Sequence, residues 1–394
     1  METRGAFAGD LLHSALTRGL DQRDCRLVEE LALGVLRRQG ELDHCIAAVS
    51  GRPAHSLDME VRLALRLGAF QLHYLDRVPA RAAVSESVEL VRRARKGSAA
   101  GLVNAVLRKA AGWAPPEQPP PEWCVPEWLL GRWRRCFGEA AATELAWSTL
   151  RPPPTYLRLN AQFDEQETLA RLAGEGVETE PTELPLCRRL RAGRPAETEC
   201  FRQGRVRIQD LGSQRVVPLL ELRPGDRFLD VCAAPGNKTF QAVEQRGGEA
   251  LTVACDRQWA RLKILGRLAT GPAILVAADA AVSLPFSRRF DKILVDAPCS
   301  GTGTLARNPE IKWKMTAADL ADLAARQRAI LSEALALLAP GGRLVYATCS
   351  LEPEENEAVV AAALGSGFVE AEKRLWLPSE HPGDGFFASV IIRA

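Results

Sequence analysis

Two cysteines in this 394-residue chain each lie just after a predicted strand, within short segments of small residues. The segments are residues 296–303, DAPCSGTG, which contain Cys299, and residues 347–350, ATCS, which contain Cys349. A thiol with an ordinary pKa of about 8.5 becomes a nucleophile when its surroundings favour the thiolate. Strand ends that meet at one edge of a sheet would bring both thiols to one pocket, although two buried thiols can also meet without a chemical role.

A pair of thiols in one pocket matches the chemistry that methylation at C5 of a pyrimidine ring requires. C5 is not nucleophilic enough to attack a methyl donor, but thiolate addition at C6 turns C5 into an enamine-like carbon that is. A base must then remove the C5 proton so that the thiolate can leave. One cysteine would act as the nucleophile and a second group, such as the other cysteine, as the base.

A small-residue turn and two acids at strand ends form a second group of candidates. Residues 230–239, DVCAAPGNKT, would let a ligand approach backbone N–H groups. Asp256 ends the next predicted strand, 20 residues after Gly236, where dinucleotide-binding folds place an acid on ribose hydroxyls, and Asp279 ends the following strand.

The identity of that ligand can be narrowed by elimination. The G-x-G-x-x-G fingerprint of NAD sites is absent, and a P-loop would need glycine where the chain has Cys232 and Asn237. An adenosyl ligand without a pyrophosphate remains, and S-adenosylmethionine fits that description. A single acid at a strand end is nevertheless often only a helix cap.

Alternating strands and helices position these segments in the C-terminal part of the chain. Short apolar or β-branched runs predict strands at Arg227–Val231, Ala250–Ala254, Ala273–Ala277, Lys292–Val295 and Arg343–Ala347. The clearest helix between them carries apolar residues from Leu320 to Leu338 and is stopped by residues 340–342, PGG. The alternation predicts a doubly wound, mainly parallel α/β sheet over residues 212–394, with ligands at the carboxyl ends of its strands.

Two further domains are predicted before this sheet. Leucines at helical spacing predict an all-α domain over residues 1–113, and the five prolines of residues 114–121 predict a stiff linker. Residues 122–211 predict a small α+β unit. Its expected elements are helices over Trp123–Leu150 and Glu165–Gly174 and strands over Thr155–Asn160 and Gly204–Gln209.

Composition excludes several classes of protein. Hydrophobic residues make up 46% and charged residues 25%, which is typical of globular domains rather than disordered or fibrous chains. No run of ~18 apolar residues predicts a membrane span, and the N-terminus does not resemble a signal peptide. None of the ten cysteines forms Cys-x-x-Cys, so we expect no metal site and a reduced, cytoplasmic protein.

A basic segment lies within the helical domain. Residues 81–109 contain seven Lys or Arg against two Glu, a local charge of +5. Such a segment can dock a polyanion, or it can be an ordinary solvated helix face, and charge alone does not decide between them.

The motifs at residues 230–239, 296–303 and 347–356 resemble those of RNA cytosine-5 methyltransferases. The N-terminal domain resembles the NusB antitermination fold, notably around Val78–Lys109, which would make it an RNA-binding domain. Residues 212–214, GSQ, resemble the entry to the family's catalytic domain, and the unit before it would face RNA. The combination resembles the bacterial 16S ribosomal RNA cytosine-5 methyltransferases of subtype B, the Sun/Fmu group.

This resemblance implies a Rossmann-like methyltransferase domain and a set of cofactor contacts. S-adenosylmethionine would lie against Cys232, Ala233, Ala234, Pro235, Gly236, Asn237 and Lys238. Asp256 would bind the ribose hydroxyls, Asp279 the adenine edge, and Asp296 would lie near both the methionine end and the cytosine ring. One departure is Asn237, where the family usually has glycine; asparagine tolerates left-handed backbone angles, so we expect the turn to form and cofactor affinity to be affected.

The resemblance also implies the catalytic roles. Cys349 would be the nucleophile, Cys299 would assist product release, and Lys238 would contact the base or the nucleophile region. The expected function is therefore 5-methylcytosine formation in 16S ribosomal RNA of the small subunit, by a monomer without metal or membrane. Transfer RNA or another ribosomal site as substrate, and a non-catalytic NusB-like RNA-binding factor, remain alternatives.

Overall fold

The computed structural model describes residues 8–12, 19–247, 250–268 and 273–394. The chain divides into two compact units, one of residues 1–152 with 305–314 and one of residues 153–304 with 315–394. The division falls between Pro152 and Pro153, so the helical part of the predicted unit 122–211 belongs to the first unit. No helix among the described residues is long and apolar enough to cross a membrane.

The first unit is helical, as the sequence predicts. Its helices in chain order are α1 Ala8–Leu12, α2 Gln22–Arg37, α3 Gln39–Ser50, α4 Met59–Tyr74, α5 Ala80–Arg93, α6 Ala100–Ala110, α7 Pro121–Cys124, α8 Glu127–Phe137 and α9 Glu139–Ser148. Helix α4 is central because its apolar residues recur around the whole helix. Leu65 and Phe70 of α4 pack in one core with Leu42 of α3 and Leu107 of α6.

The proline-rich segment does not separate α7 from the preceding helices. The ring of Trp123 stacks on His44 of α3 at a centroid distance of 3.8 Å. Trp147 of α9 donates a hydrogen bond to the carbonyl oxygen of Pro119 at 2.8 Å. Helices α7–α9 therefore continue the helical unit instead of joining the strands that follow them.

A four-stranded antiparallel sheet opens the second unit. Its elements are β1 Tyr156–Leu159, α10 Glu165–Gly174, β2 Glu178–Pro181, β3 Cys187–Ala192, α11 Glu199–Arg202 and β4 Val206–Ile208, and the strand order is β2-β3-β1-β4. Both faces of β1 are buried. Leu157 packs with Leu172 of α10 on one face, and Tyr156 packs with Leu211 on the other.

The second unit continues as a seven-stranded sheet. Its elements are α12 Leu211–Val216, β5 Phe228–Asp230, α13 Asn237–Arg246, β6 Thr252–Asp256, α14 Trp259–Leu268, β7 Ile274–Ala277, β8 Phe290–Asp296, α16 Ala317–Ala336, β9 Leu338–Thr348, α17 Glu357–Ala363, β10 Phe368–Trp376 and β11 Phe386–Arg393. Helix α15, Ile311–Lys314, follows β8 in the chain but belongs to the first unit. The strand order is β10-β11-β9-β8-β5-β6-β7. Strands β5 to β9 are parallel, and β10 and β11 are antiparallel additions. The prediction of a mainly parallel α/β sheet is confirmed.

The predicted C-terminal end of the long helix is wrong. The long helix ends at Ala336, and Leu338 already belongs to β9, which runs on through residues 340–342. Leu338 is buried and pairs with Phe290 of β8, so packing against the sheet ends the helix earlier than its apolar pattern suggests.

The strand order places four functional segments side by side. Strands β9, β8, β5 and β6 are consecutive neighbours, and their carboxyl ends lead into Cys349, the Cys299 segment, the turn of residues 230–239 and Asp256. A parallel sheet aligns these ends along one edge, so residues far apart in the chain become neighbours.

Candidate active site

A cavity of about 300 Å³ lies at this edge of the sheet. Its lining includes Cys232, Ala234, Lys238, Asp256, Asp279, Asp296, Cys299 and Cys349. The structure therefore brings together both candidate cysteines and the candidate acids. Ala233, Pro235, Gly236 and Asn237 lie in the same turn, but they are not among the described residues that line the cavity.

The two cysteine thiols are in direct contact. The Sγ atoms of Cys299 and Cys349 are 3.4 Å apart, and both side chains are partly accessible. The hydrogen bond with Cys349, burial and the nearby Glu355 carboxylate raise the pKa of the Cys299 thiol well above its usual range. The neutral thiol is therefore the favoured form of Cys299.

A third loop holds the two cysteine segments together. The N–H of Gly303 donates to the carbonyl oxygen of Cys349 at 2.9 Å, and the N–H of Gly385 donates to the carbonyl oxygen of Gly303 at 2.7 Å. The approach is so close that a Cβ on Gly303 would collide with backbone atoms of Gly385 and Cys349. Phe386, which follows this loop and lines the cavity, was not predicted as a site residue.

Lys238 and Asp296 form an ion pair inside the cavity. The Nζ of Lys238 lies 2.7 Å from Oδ2 of Asp296 and 5.0 Å from the ring centroid of Phe386. Only 10% of the Lys238 side chain is exposed, so its charge is directed at this carboxylate. The pair fixes Asp296 beside the cysteine segment that follows β8.

The turn between β5 and α13 depends on Gly236. This residue has a φ of +119°, and a Cβ there would lie 2.7 Å from Cγ of Leu265. Asn237 is already the first residue of α13, and its Nδ2 donates to the carbonyl oxygen of Ile208 at 3.3 Å. The turn forms with asparagine at position 237, and the preceding Gly236 adopts the left-handed backbone angles.

The two acids predicted to face the adenosyl group also organise the backbone. Asp256 accepts hydrogen bonds from the N–H groups of Ala234 at 3.2 Å and Gln258 at 2.8 Å. Asp279 accepts from the N–H of Ala281 at 3.1 Å. Arg257 and Arg326 form ion pairs with Asp279 at 3.8 and 3.6 Å.

Two of these groups were missed by the sequence analysis for different reasons. Arg257 directly follows the candidate residue Asp256, so the sequence alone indicated that Arg257 lies near the site. Arg326 lies on α16, far from any motif, and only the packing of that helix on the sheet brings it to the cavity.

The buried side chain of Asp230 stabilises the turn between β5 and α13. Asp230 accepts a hydrogen bond from the hydroxyl of Thr239 at 2.7 Å, and burial raises the pKa of Asp230 to about 7. Burial, followed by the charges of nearby aspartates, also raises the pKa of the Cys232 thiol well above its usual range. The neutral thiol is therefore the favoured form of Cys232, which shares the cavity with Cys299 and Cys349.

Comparison with known proteins gives a consistent family assignment. The model of the family described as 16S rRNA methyltransferase RsmB/F matches residues 217–392. The NusB family model matches residues 1–112, and the model of an RsmF/B-like ferredoxin-like domain matches residues 125–195.

Individual relatives cover almost the whole chain. The ribosomal RNA small subunit methyltransferase B of Pseudomonas putida is 34% identical over 95% of this chain and 92% of its own length. The probable ribosomal RNA small subunit methyltransferase B of Bacillus subtilis is 34% identical over 92% of this chain and 85% of its own length. A methyltransferase homologue of known structure from Pyrococcus horikoshii is 29% identical, with a TM-score of 0.58 over 67% of this chain and 94% of its own.

The parallel sheet with its cavity at the strand ends, preceded by a helical NusB-like domain, defines a Rossmann-like methyltransferase that depends on S-adenosylmethionine. The chain belongs to the RsmB/F family of 16S rRNA methyltransferases.

Proposed function

We propose that this protein transfers a methyl group from S-adenosylmethionine to C5 of a cytosine in 16S ribosomal RNA. The observation that carries the proposal is the contact between the thiols of Cys299 and Cys349, 3.4 Å apart, in the cavity that also contains Asp256 and Asp279. The small-subunit ribosomal RNA methyltransferases among its relatives support this RNA as the substrate. The proposal includes a cytoplasmic, monomeric protein.

The residues present suit an adenosyl ligand. Asp256 ends β6, Asp279 follows the end of the neighbouring strand β7, and Gly236 gives the turn beside them a conformation that a side chain would obstruct. Asp256 would hold the ribose hydroxyls, Asp279 the adenine edge, and the turn from Cys232 to Lys238 the rest of the molecule. When bound, S-adenosylmethionine supplies an electrophilic methyl group.

The chemistry of the protein's own groups begins at Cys349. Its thiolate adds to C6 of the cytosine, which forms an S–C6 bond and shifts electron density to C5. Once Cys349 is bonded to C6, Cys299 releases its own proton to solvent, and after C5 carries the methyl group the Cys299 thiolate takes the proton from C5 and becomes a thiol. The C5 electron pair then restores the ring double bond, the S–C6 bond breaks, and the Cys349 thiolate leaves.

The surroundings of the thiols support this division of roles. The hydrogen bond to Cys349 and burial raise the pKa of Cys299, and a thiolate with a raised pKa accepts a proton more readily. Asp296, fixed by Lys238, would face the cytosine ring from the neighbouring segment.

A methylation assay on defined RNAs tests the proposal. The purified protein would be incubated with S-adenosylmethionine and either unmodified 16S ribosomal RNA or transfer RNA, and 5-methylcytosine would be mapped by bisulfite sequencing. We expect modification of 16S ribosomal RNA and none with Cys349→Ser. Modification of transfer RNA alone would change the substrate, and RNA binding without modification of either RNA would indicate a non-catalytic NusB-like factor.

A further inference from the structure

A buried carboxylate lies directly behind the two cysteines. The side chain of Glu355, in the segment before α17, is fully buried. Its Oε1 accepts hydrogen bonds from the N–H of Ser300 at 2.8 Å and from Nε2 of Gln327 at 2.9 Å. Its Oε2 accepts from the hydroxyls of Ser350, at 2.5 Å, and Ser300. Each oxygen thus accepts two hydrogen bonds, which fills its lone pairs.

The donors connect this carboxylate to both cysteine segments. Ser300 directly follows Cys299, and Ser350 directly follows Cys349. The two hydroxyls also lie 3.1 Å from each other. A single side chain therefore fixes the two segments against each other at the residues next to the reacting sulfurs.

Further hydrogen bonds hold the residues around the two cysteines. Gln327 of α16 donates from Nε2 to the carbonyl oxygen of Pro298 at 2.9 Å, in addition to Glu355. Asn356 accepts from the hydroxyl of Thr348 at 2.6 Å and donates to the carbonyl oxygen of Ser350 at 2.9 Å. The residues on both sides of each cysteine are thereby held by hydrogen bonds that are buried or partly buried.

We propose that Glu355 is a positioning residue that sets the contact between the thiols of Cys299 and Cys349, an inference that rests on the two-cysteine chemistry proposed above. Addition at C6 and proton removal at C5 occur on adjacent ring carbons, so the two sulfurs must keep a fixed separation. A displacement of about 1 Å can lower a rate by ~10²-fold. The Glu355 charge also contributes to raising the pKa of Cys299, after the hydrogen bond to Cys349 and burial.

Glu355→Gln tests this role while keeping the size of the side chain. The amide would replace one carboxylate oxygen by an NH2 group, so two of the four donors would lose their acceptor and the contact between the cysteine segments would weaken. With unmodified 16S ribosomal RNA we expect kcat to fall by ~10²-fold, with the KM for RNA within about twofold of the parent. A denaturation-stable protein–RNA adduct should accumulate, because Cys349 still adds while the displaced Cys299 removes the C5 proton slowly.

Two variants control for effects on folding. Glu355→Asp keeps the carboxylate and should recover at least tenfold in kcat over Glu355→Gln, whereas Glu354→Gln, in the exposed neighbouring residue, should match the parent. If Glu355→Gln does not fold by circular dichroism, the double variant Ser300→Ala and Ser350→Ala, which removes two donors, should show the same fall in kcat and the same adduct.

The outcomes separate this inference from the proposed function. Adduct accumulation with Cys299→Ser but parent-like kcat and no adduct with Glu355→Gln would overturn the role of Glu355 alone. So would a parallel loss of kcat, RNA affinity and thermal stability without an adduct, since that is the behaviour of a merely structural residue. Absence of the adduct with Cys299→Ser would instead contradict the two-cysteine chemistry itself.

Discussion

The carboxylate of Asp256 contacts backbone N–H groups and lines the cavity. Its oxygens accept hydrogen bonds from the backbone of Ala234 and Gln258, and the residue also lines the cavity proposed for the adenosyl group. Asp256→Ala should therefore remove a ribose contact and loosen the turn that carries Ala234. Charge-assisted hydrogen bonds contribute ~1.5–3 kcal/mol, so the dissociation constant for S-adenosylmethionine should rise by roughly tenfold or more.

Calorimetric titration with S-adenosylmethionine measures this effect. Asp322→Ala, which removes an exposed carboxylate of α16 outside the cavity lining, should bind as the parent does. Unchanged affinity in Asp256→Ala would remove this residue from the cofactor site.

Asp230 should give the fold a recognisable pH dependence. Burial raises its pKa from an ordinary value of 3.8 to about 7, so the folded state binds this proton more tightly than the unfolded state. The resulting stabilisation is complete below about pH 4 and is lost as the pH rises through 7. Asp230→Asn should therefore gain stability relative to the parent between pH 5 and pH 8, by on the order of 1–3 kcal/mol.

Urea unfolding of the parent and of Asp230→Asn at pH 5 and at pH 8 measures this difference in stability. A stability gap between parent and Asp230→Asn that is the same at pH 5 and pH 8 would show that Asp230 does not titrate in this range.

At the scale of elements, the basic segment of residues 81–109 is partly neutralised by its own neighbours. Arg92 and Arg93 form ion pairs with Glu89 at 3.8 and 3.2 Å. Lys96 forms an ion pair at 2.7 Å with Asp58, which lies outside residues 81–109. The basic groups remain on the surface, because α5 buries Ala83, Ser87 and Val91 on its other face.

Replacing Arg92, Arg93, Arg95 and Lys96 by Glu tests whether this face docks RNA. We expect weaker binding of 16S ribosomal RNA with a shallower salt dependence, since fewer counterions are released. S-adenosylmethionine affinity should stay unchanged. RNA affinity and salt slope equal to the parent's, measured by filter binding, would mark the segment as an ordinary solvated face.

The elements that could be predicted from the sequence are those whose burial produces a local pattern of apolar residues. Strands β5, β6, β8 and β9 contain apolar runs because helices or neighbouring strands cover them, and their ends carry the cysteines and Asp256. Strands β2 and β3 escaped prediction because Glu178–Pro181 and Cys187–Ala192 are short and rich in charge. The edge strand β10 is half exposed and carries charged residues on its open face.

Part of the site could not be predicted because tertiary packing creates it. Arg326 and Gln327 approach from α16, and Phe386 comes from an antiparallel strand that no motif indicates. Glu355 lies within a recognised motif, but its role depends on contacts with residues 55 and 5 positions away, which spacing alone does not reveal.

At the scale of the whole molecule, the helical unit is not one continuous stretch of chain. Residues 305–314 lie between two parts of the second unit in sequence but belong to the first. The Nζ of Lys312, fully buried, donates to the carbonyl oxygens of Arg37 at 2.7 Å and Cys124 at 2.9 Å and to the hydroxyl of Thr149 at 3.2 Å. Trp313 adds a hydrogen bond to the carbonyl oxygen of Leu36 at 2.8 Å.

A fragment that ends at Pro152 should therefore be less stable than the same unit in the full chain. It leaves the carbonyl oxygens of Arg37 and Cys124 without their donor, at a cost of about 1–3 kcal/mol for each buried group. A synthetic peptide of residues 305–314 should raise the thermal midpoint of the fragment, and the same peptide with Lys312→Met should raise it less. Equal midpoints with and without the peptide would show that this segment is not part of the helical core.

The covalent complex between protein and RNA tests the central claim, that Cys349 adds to cytosine and Cys299 releases the product. With S-adenosylmethionine and 16S ribosomal RNA, Cys299→Ser should accumulate a complex that survives denaturing gel electrophoresis, because addition and methylation proceed while removal of the C5 proton fails. Cys349→Ser and the double variant should form none, since a hydroxyl of far higher pKa does not add to C6. A complex formed by Cys349→Ser and not by Cys299→Ser would reverse the roles, and loss of activity in both without any complex would contradict the claim that Cys299 is the base.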